Sequence, residues 1–451
     1  MALADQPRGW REMCAVWNDR RLAVIFILGM SSGYPWVLIG SAMAAWLSES
    51  GVSRSSIGFI NGVAIMYAIN FLWAPFLDRY RPCWLGRLGK RRSWIVVMQF
   101  SLLLGTIILS RLEPANMLFT TGVVMLLMAF FSATQDVAID AYRIELIPRQ
   151  DQTLISYGSA MATAGWWTGY GLLGALPFWF VDLSPGGWND VYIGLALIWI
   201  CFIGAVIALA PNTGSAPVKN DISLGFVDNL RQTVAEPLLE FVTRNGMKLA
   251  VTILAFLLLF KIGEAFLGRM SIVFYKEVGF SNQEIGTYSK LLNWWVTVIF
   301  AVIGGVINVR FGMIKGLIIG GIAMAASNLM FSWLAMVGPE PWLLSLAVVV
   351  DGFTAALATV MFVSFITFLS SHTFSATQYA IMASIGNFGR TTLASGSGWI
   401  VDRLDGNWSL FFLLTAVAVV PSLLLLWRLQ PMLIERYPAA FGRKNRIIDK
   451  L

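Results

Sequence analysis

The chain has 451 residues, a length that suits about three soluble domains, yet 57% of them are hydrophobic and only 13% charged. Soluble proteins carry roughly 25% charged residues, so no water-facing surface of ordinary kind can be built, and the composition predicts an all-α integral membrane protein. The net charge of +7 points to nucleic acid only if the basic residues cluster on a soluble face, and they do not. The single histidine, His372, and the cysteines Cys14, Cys83 and Cys201 have no metal-ligand spacing. No metal, disulfide or cofactor is expected. The polar stretch 1–21 followed by a long apolar run does not read as a cleavable signal peptide.

The apolar runs fall at about 22–47, 55–77, 93–111, 116–141, 153–176, 191–210, 248–273, 284–308, 313–337, 342–370, 378–401 and 408–428. Each approaches or exceeds the length that crosses about 30 Å of hydrocarbon. Backbone groups in lipid must be satisfied within the segment, so each run is predicted to be helical. With the N-terminus in the cytoplasm, Arg54, Arg111, Arg269, Lys276 and Arg403 lie outside and Lys261, Lys290 and Arg390 lie within runs; the other Lys and Arg residues fall on cytoplasmic segments. That distribution satisfies the positive-inside rule, and the basic excess is explained as topogenic charge against the lipid bilayer. The predicted organisation is a cytoplasmic N-terminus (1–21), a six-helix bundle (22–210), a cytoplasmic linker (211–247), a second six-helix bundle (248–428) and a cytoplasmic tail (429–451). Within the linker, Phe226, Leu230, Val234 and Leu238 form a period-four stripe, which suggests an amphipathic helix at the membrane surface.

The two halves echo each other. Trp46-Leu-Ser-Glu49-Ser-Gly51-Val-Ser53 after the first run is matched by Phe274-Tyr-Lys-Glu277-Val-Gly279-Phe-Ser281 after the seventh, and Ile57-Gly58 is matched by Ile285-Gly286. Trp179-Phe-Val181-Asp182 is matched by Trp399-Ile-Val401-Asp402. Two six-helix bundles in the same orientation resemble the major facilitator architecture. Asp78-Arg79-Tyr80-Arg81-Pro82, followed by Gly89-Lys90-Arg91-Arg92, resembles motif A of that superfamily, stretched by an insertion at 83–88. Val309-Arg310-Phe311-Gly312 in the second half is a weaker copy without the Asp.

The fourth run ends Ser132-Ala133-Thr134-Gln135-Asp136-Val137-Ala138-Ile139-Asp140-Ala141-Tyr142-Arg143. With Ser31-Ser32-Gly33-Tyr34-Pro35 and Phe71-Leu72-Trp73-Ala74-Pro75-Phe76-Leu77-Asp78-Arg79, it resembles the AmpG muropeptide permease family along nearly the whole chain. The resemblance implies a proton-driven monomeric carrier, not an enzyme, in the inner membrane of a Gram-negative bacterium. Its cargo would be N-acetylglucosaminyl-1,6-anhydro-N-acetylmuramyl peptides, taken up for cell-wall recycling and, in some species, β-lactamase induction. The resemblance also implies a cytoplasmic gate at motif A. The eukaryotic acetyl-CoA transporters share parts of the pattern, so another bulky anion such as an acyl-CoA, or a drug, is the alternative cargo. A receptor that binds cargo without moving it is a further alternative. No Ser/His/Asp set or acidic pair suggests catalysis.

Ionisable groups inside spans cost roughly 3 kcal/mol each on insertion scales, so each needs a reason. Asp136, Asp140 and Arg143 share one helical face. Asp140 reads as a gate residue tying this helix to the motif A arginines, with Asp78, Arg79, Arg91, Arg92 and Arg143, and is also a candidate for proton coupling beside Asp136 and Glu264. Asp136, one turn deeper, is either the proton carrier or half of a structural polar pair; desolvation and the Asp140 charge both favour a proton on it. Gln135 is assigned to cargo binding, since an amide both donates and accepts. Gly33 and Ala133 either leave room for a sugar or allow close helix packing; Tyr34 adds an aromatic face and Trp167 a stacking surface. In the second half, Lys261 and Glu264 form an i,i+3 pair. It is either self-neutralising or a site where Lys261 attracts a carboxylate and Glu264 titrates. Arg390 and Asn387 offer a second deep cation and an amide. Lys290 and Asp351 are paired as an external gate. His372 is placed on an exposed cytoplasmic loop.

Overall fold

The computed structural model describes residues 19–52, 63, 65–82, 88–114, 116–213, 226–280, 284, 288, 292–390 and 396–441, and among these every regular element is helical. Lys290, Cys14, Cys83 and the 284–291 start of the eighth run, apart from 284 and 288, lie outside the described residues, as do the ends of the chain. The first half comprises α1 (Arg20–Leu47), α2 (Ala74–Arg79), α3 (Lys90–Leu109), α4 (Leu118–Leu146), α5 (Gln152–Trp167) and α6 (Trp188–Leu209). The linker helix is α7 (Phe226–Asn245). The second half comprises α8 (Met247–Phe260), α9 (Ile262–Val278), α10 (Asn293–Phe311), α11 (Met313–Val337), α12 (Pro341–Leu369), α13 (Ser375–Phe388), α14 (Ser397–Arg403) and α15 (Trp408–Arg436), and α16 (Pro438–Phe441) follows.

Among the described residues, nine helices are long and apolar enough to cross a membrane. The runs expected at 55–77, 153–176 and 378–401 are not among them. The first is broken into Ile65–Ala68, a 3-10 turn at Asn70–Leu72, and α2. The second runs from α5 through a π-helical turn, Thr168–Leu172, into Leu173–Phe180. The third divides into α13 and α14. Two helices outrun their apolar stretches: α4 continues to Leu146 and α15 to Arg436. The charges that end an apolar run do not end a helix when they find partners.

Gly89 and Gly312 start α3 and α11 with φ of +81° and +79°. That left-handed turn is cheap only for glycine, and it is the same in both halves. The halves also share an anchor at the end remote from Lys90–Arg92. Trp188 donates its indole N–H to Glu49 at 2.6 Å, and Trp408 donates to Glu277 at 2.8 Å. Each Trp sits in an aromatic core, Trp46 and Tyr192 in one half and Phe274, Phe411 and Phe412 in the other. The matched glutamates in the sequence therefore mark one repeated contact.

The linker helix leaves Leu238 and Leu239 exposed but inserts Phe241 into a core built from both halves. The side chains of Phe226, Leu230 and Val234 lie outside the described residues. Gln378 of α13 donates to the Pro237 carbonyl at 2.9 Å, and Arg244 donates to the Leu369 carbonyl at 2.7 Å. At the far end of the chain, Tyr437 donates to Asn245 at 2.8 Å, while Gln152 of the first half donates to the Ala440 carbonyl at 3.0 Å. Arg149 lies over the rings of Phe368 and Tyr437. The tail thus touches both halves.

Candidate functional site

At the end that carries Lys90, Arg91 and Arg92, two carboxylates of the first half, Asp78 and Glu145, join it to α13 of the second. Asp78, the fifth residue of α2, accepts the backbone N–H groups of Ala376 (3.2 Å) and Thr377 (2.8 Å) and the Thr377 hydroxyl (2.6 Å). It therefore caps the first turn of α13 from the opposite half, satisfying orphan donors and meeting the positive end of the helix dipole. Arg91 is fully buried and holds that carboxylate, Glu145 (2.7 Å), the Leu77 carbonyl (2.8 Å) and the Ser375 hydroxyl (2.9 Å). Ser375 also donates to Glu145 at 2.8 Å. Lys90 donates to the Asp78 carbonyl at 3.0 Å. Arg79 is buried beside Asp78.

Two gate assignments change. Arg92 turns away and donates to the carbonyls of Val206 (3.2 Å) and Ile207 (2.7 Å) near the end of α6. It binds the first half to itself rather than the halves together. Asp140 does not reach the motif A arginines; it pairs with Arg143 of its own helix at 2.8 Å. The guanidinium of Arg143 lies 5.3 Å above the ring of Tyr379 on α13, a second junction between halves.

Deeper in the first half, Ser32 donates to Asp136 at 2.6 Å, so α1 and α4 meet through a hydroxyl and an acid. Tyr67 donates to Ser132 at 2.7 Å, and its ring lies 4.4 Å from that of Trp36. Trp73 donates to Thr134 at 2.9 Å. Ser32 and Trp36 stand one helical turn apart and share a face. Gly33 lies on the packing face instead. A Cβ there would come within 2.1 Å of the Trp166 carbonyl oxygen, and Gly29, Gly165 and Gly169 meet the same α1–α5 crossing. Gly33 thus sits where the packing alternative puts it. Three residues assigned to cargo also turn into the bundle. Gln135 is fully buried, donating to the Ser31 carbonyl (2.8 Å) and hydroxyl (2.9 Å), where Gln99 also donates (2.8 Å). Tyr34 is fully buried, donates to the Leu195 carbonyl at 2.8 Å and packs on Trp199 and Phe202. Ala133 is fully buried. Trp167 stays partly exposed and packs edge-on against Trp166 and Tyr170.

In the second half, Lys261 interrupts the helix between α8 and α9. Its ammonium donates to Glu264 at 2.8 Å and to Thr359 of α12 at 2.5 Å. Arg390 approaches the other Glu264 oxygen at 3.7 Å and keeps 48% of its side chain exposed. Asp351 accepts from Ser327 at 3.2 Å and lies within electrostatic reach of Glu264 and Lys261. It belongs to this charged group, and the outer gate with Lys290 falls outside the described residues. Tyr379, Asn387 and Arg390 are spaced by eight and three residues, which aligns them on one stripe of a helix. Because Tyr379 faces Arg143 of the first half, that stripe faces the space between halves. His372 is exposed on the turn before α13.

A family profile described as acetyl-coenzyme A transporter 1 matches residues 24–184. Over 411 residues the chain is 32% identical to transporter AmpG 4 of Rickettsia conorii, covering 91% of this chain and 97% of that relative. Over 413 residues it is 31% identical to the anhydromuropeptide permease of Escherichia coli K12, covering 91% and 80%. The chain belongs to the AmpG family. Among solved structures, this AmpG-family chain superposes on the human organic anion transporter with a TM-score of 0.66 at 16% identity, covering 90% of this chain and 99% of that one. It superposes on the major facilitator transporter FucP, in the outward conformation, with a TM-score of 0.67 at 13% identity, covering 90% and 98%. The AmpG-family chain therefore has the major facilitator fold and is a multi-pass membrane transporter. Ser32, Trp36, Tyr67, Glu145, Thr359, Ser375, Thr377 and Tyr379 were not singled out in the sequence. The sequence signals for Ser32 and Trp36 were their spacing of four, which puts them one turn apart beside the Gly29–Gly33 face, and the place of Ser32 in the Ser31–Pro35 motif.

Proposed function

We propose that this AmpG-family protein imports anhydromuropeptides from the periplasm across the inner membrane of a Gram-negative bacterium, drawing on the proton gradient. What carries the reading, beside the 31% identity to an anhydromuropeptide permease, is the pair of deep cations, Lys261 and Arg390, gathered on Glu264. Two cations within a span are expensive, and peptide carboxylates give them a use. Transport proceeds by alternating access. The Asp78 cap on α13 belongs to the state closed at the cytoplasmic side, and it must part for cargo to leave inward. Cargo and proton must therefore favour one state over the other, because a ligand with equal affinity for both moves nothing. Asp136, which accepts from a neutral hydroxyl rather than pairing with a cation, is the group we assign to the proton.

The profile match over residues 24–184 favours a second reading, an acyl-CoA carrier. Uptake of radiolabelled anhydromuropeptide into proteoliposomes, with and without an inward proton gradient, separates the two. Gradient-stimulated accumulation that acetyl-CoA does not compete supports the first. Competition by acetyl-CoA, with no muropeptide accumulation in sealed vesicles, replaces it with the second.

A further inference from the structure

The central faces of the two halves have different chemistry, although their helices correspond. In the first half, every Lys and Arg among the described residues of α1 to α6 stands in a terminal turn or beyond it. The middle of that half offers aromatic rings and hydroxyls: Trp36 against Tyr67 at 4.4 Å, Tyr67 on Ser132, and Ser32 on Asp136. Trp36, Tyr67 and Asp136 are all partly exposed, and Asp136 is on the face of α4 that leads, seven residues on, to Arg143 between the halves. In the second half, the same depth offers Lys261 and Arg390 with one shared carboxylate. Arg390, in the turn just past the end of α13, lies about 16 Å along the helix direction from the Tyr379 junction, continuing the stripe that faces the first half.

Rings and acceptor groups suit a saccharide. Its C–H face packs on an indole, and its hydroxyls donate to a carboxylate and exchange hydrogen bonds with hydroxyl groups. They do not suit a peptide carboxylate, which Asp136 would repel. Guanidinium and ammonium groups suit carboxylates through charge-assisted hydrogen bonds. Corresponding positions carry the contrast. Trp36 and Glu264 stand equally far before the matched glutamates Glu49 and Glu277. One half holds an indole and the other an acid flanked by cations.

We infer that the two halves divide the cargo, the first binding its saccharide through Ser32, Trp36, Tyr67 and Asp136 and the second binding its peptide carboxylates through Lys261 and Arg390. This deepens the muropeptide reading above and rests on it. The test measures binding of purified full-length protein to four probes. These are an anhydromuramyl tripeptide with its N-acetylglucosamine, the same without that sugar, and each of the two with the peptide carboxylates amidated. Two ratios result, a carboxylate ratio and a sugar ratio. For Arg390→Gln the carboxylate ratio should collapse about tenfold toward one while the sugar ratio stays at the wild-type value. For Trp36→Leu the sugar ratio should collapse and the carboxylate ratio stay. Where either variant does not fold, Lys261→Gln and Tyr67→Phe take their places. Crossed effects, or both ratios falling together in one variant, overturn the division while leaving the cargo reading standing. A wild-type protein that binds none of the four probes overturns the cargo reading, and the division with it.

Discussion

The two bundles agree at their outer ends and differ in the middle. Glu49 on Trp188 and Glu277 on Trp408 are the same contact made twice, within 0.2 Å of each other in length. Midway, α4 and α12 each hold 29 residues, and Asp136 and Thr359 are each the nineteenth. Asp136 accepts from a hydroxyl on α1, whereas Thr359 accepts from the Lys261 ammonium. The geometry of the crossing is kept while acid and hydroxyl change places and a cation is added. At the basic end the same inequality returns. Asp78 reaches across to α13, while Asn308, four residues before Gly312, reaches across to Ser156 of α5 at 2.9 Å. One junction between the halves is charged and the other neutral. Scaffold contacts can repeat because they serve folding in both halves; the inner contacts differ because only one joint asymmetry can recognise an asymmetric cargo and set one direction of opening.

The comparison is most severely tested at Gly33 and Lys261, which share a register. Gly33→Val drives a side chain into the Trp166 carbonyl, and overpacking of this kind costs about 3 kcal/mol. Folded yield in detergent should fall sharply, whereas Lys261→Met should keep yield and lose cargo binding. Equal yields would remove the packing role of the α1–α5 crossing. Next in size is Asp78→Asn. Removing one charge beside fully buried Arg91 costs about 3 kcal/mol of the closed state. Spin-label distances between the basic ends of α2 and α13 should shift toward the parted form by about two orders of magnitude in population. Asn308→Ala, which removes only a neutral bond, should shift them by about 1 kcal/mol; identical shifts would erase the difference between the two junctions. Asp136→Asn should cut gradient-driven uptake at least tenfold while counterflow at saturating cargo is largely kept, since the amide oxygen still accepts from a sugar hydroxyl; parallel loss of both at saturation would rule it out as the proton carrier. The smallest effect belongs to the outer anchors. Glu49→Gln and Glu277→Gln should each lower thermal stability by about 1 kcal/mol, and a large inequality between them would break the repeat there.

Much of the fold was legible because lipid leaves the backbone few choices, and the matched glutamates pointed to a real repeated contact. The site was less legible for specific reasons. Gly33 looked the same whether it made room or packed, since a residue without a side chain does not announce its face. Gln135 and Tyr34 carried the right polar groups but spent them on Ser31 and Leu195 within the bundle. Asp140 stood near the motif A arginines in prospect, yet its own helix supplied Arg143 three residues away. Glu145 was overlooked because the apolar run stops before α4 does. The decisive pairs are distant in sequence, Ser32 with Asp136 and Asp78 with Thr377, and no local spacing announces them.

The tail has a practical consequence. Tyr437 is fastened to Asn245 of the linker helix and packs on Phe368 of the second half, and Ala440 is held by Gln152 in the first. Anything fused after the tail hangs from a stitch across the seam that must open in each turnover. A bulky fluorescent or affinity fusion at the C-terminus would therefore act as a brake or a wedge on the cycle, and transport rates measured with it belong to the fusion rather than to the carrier.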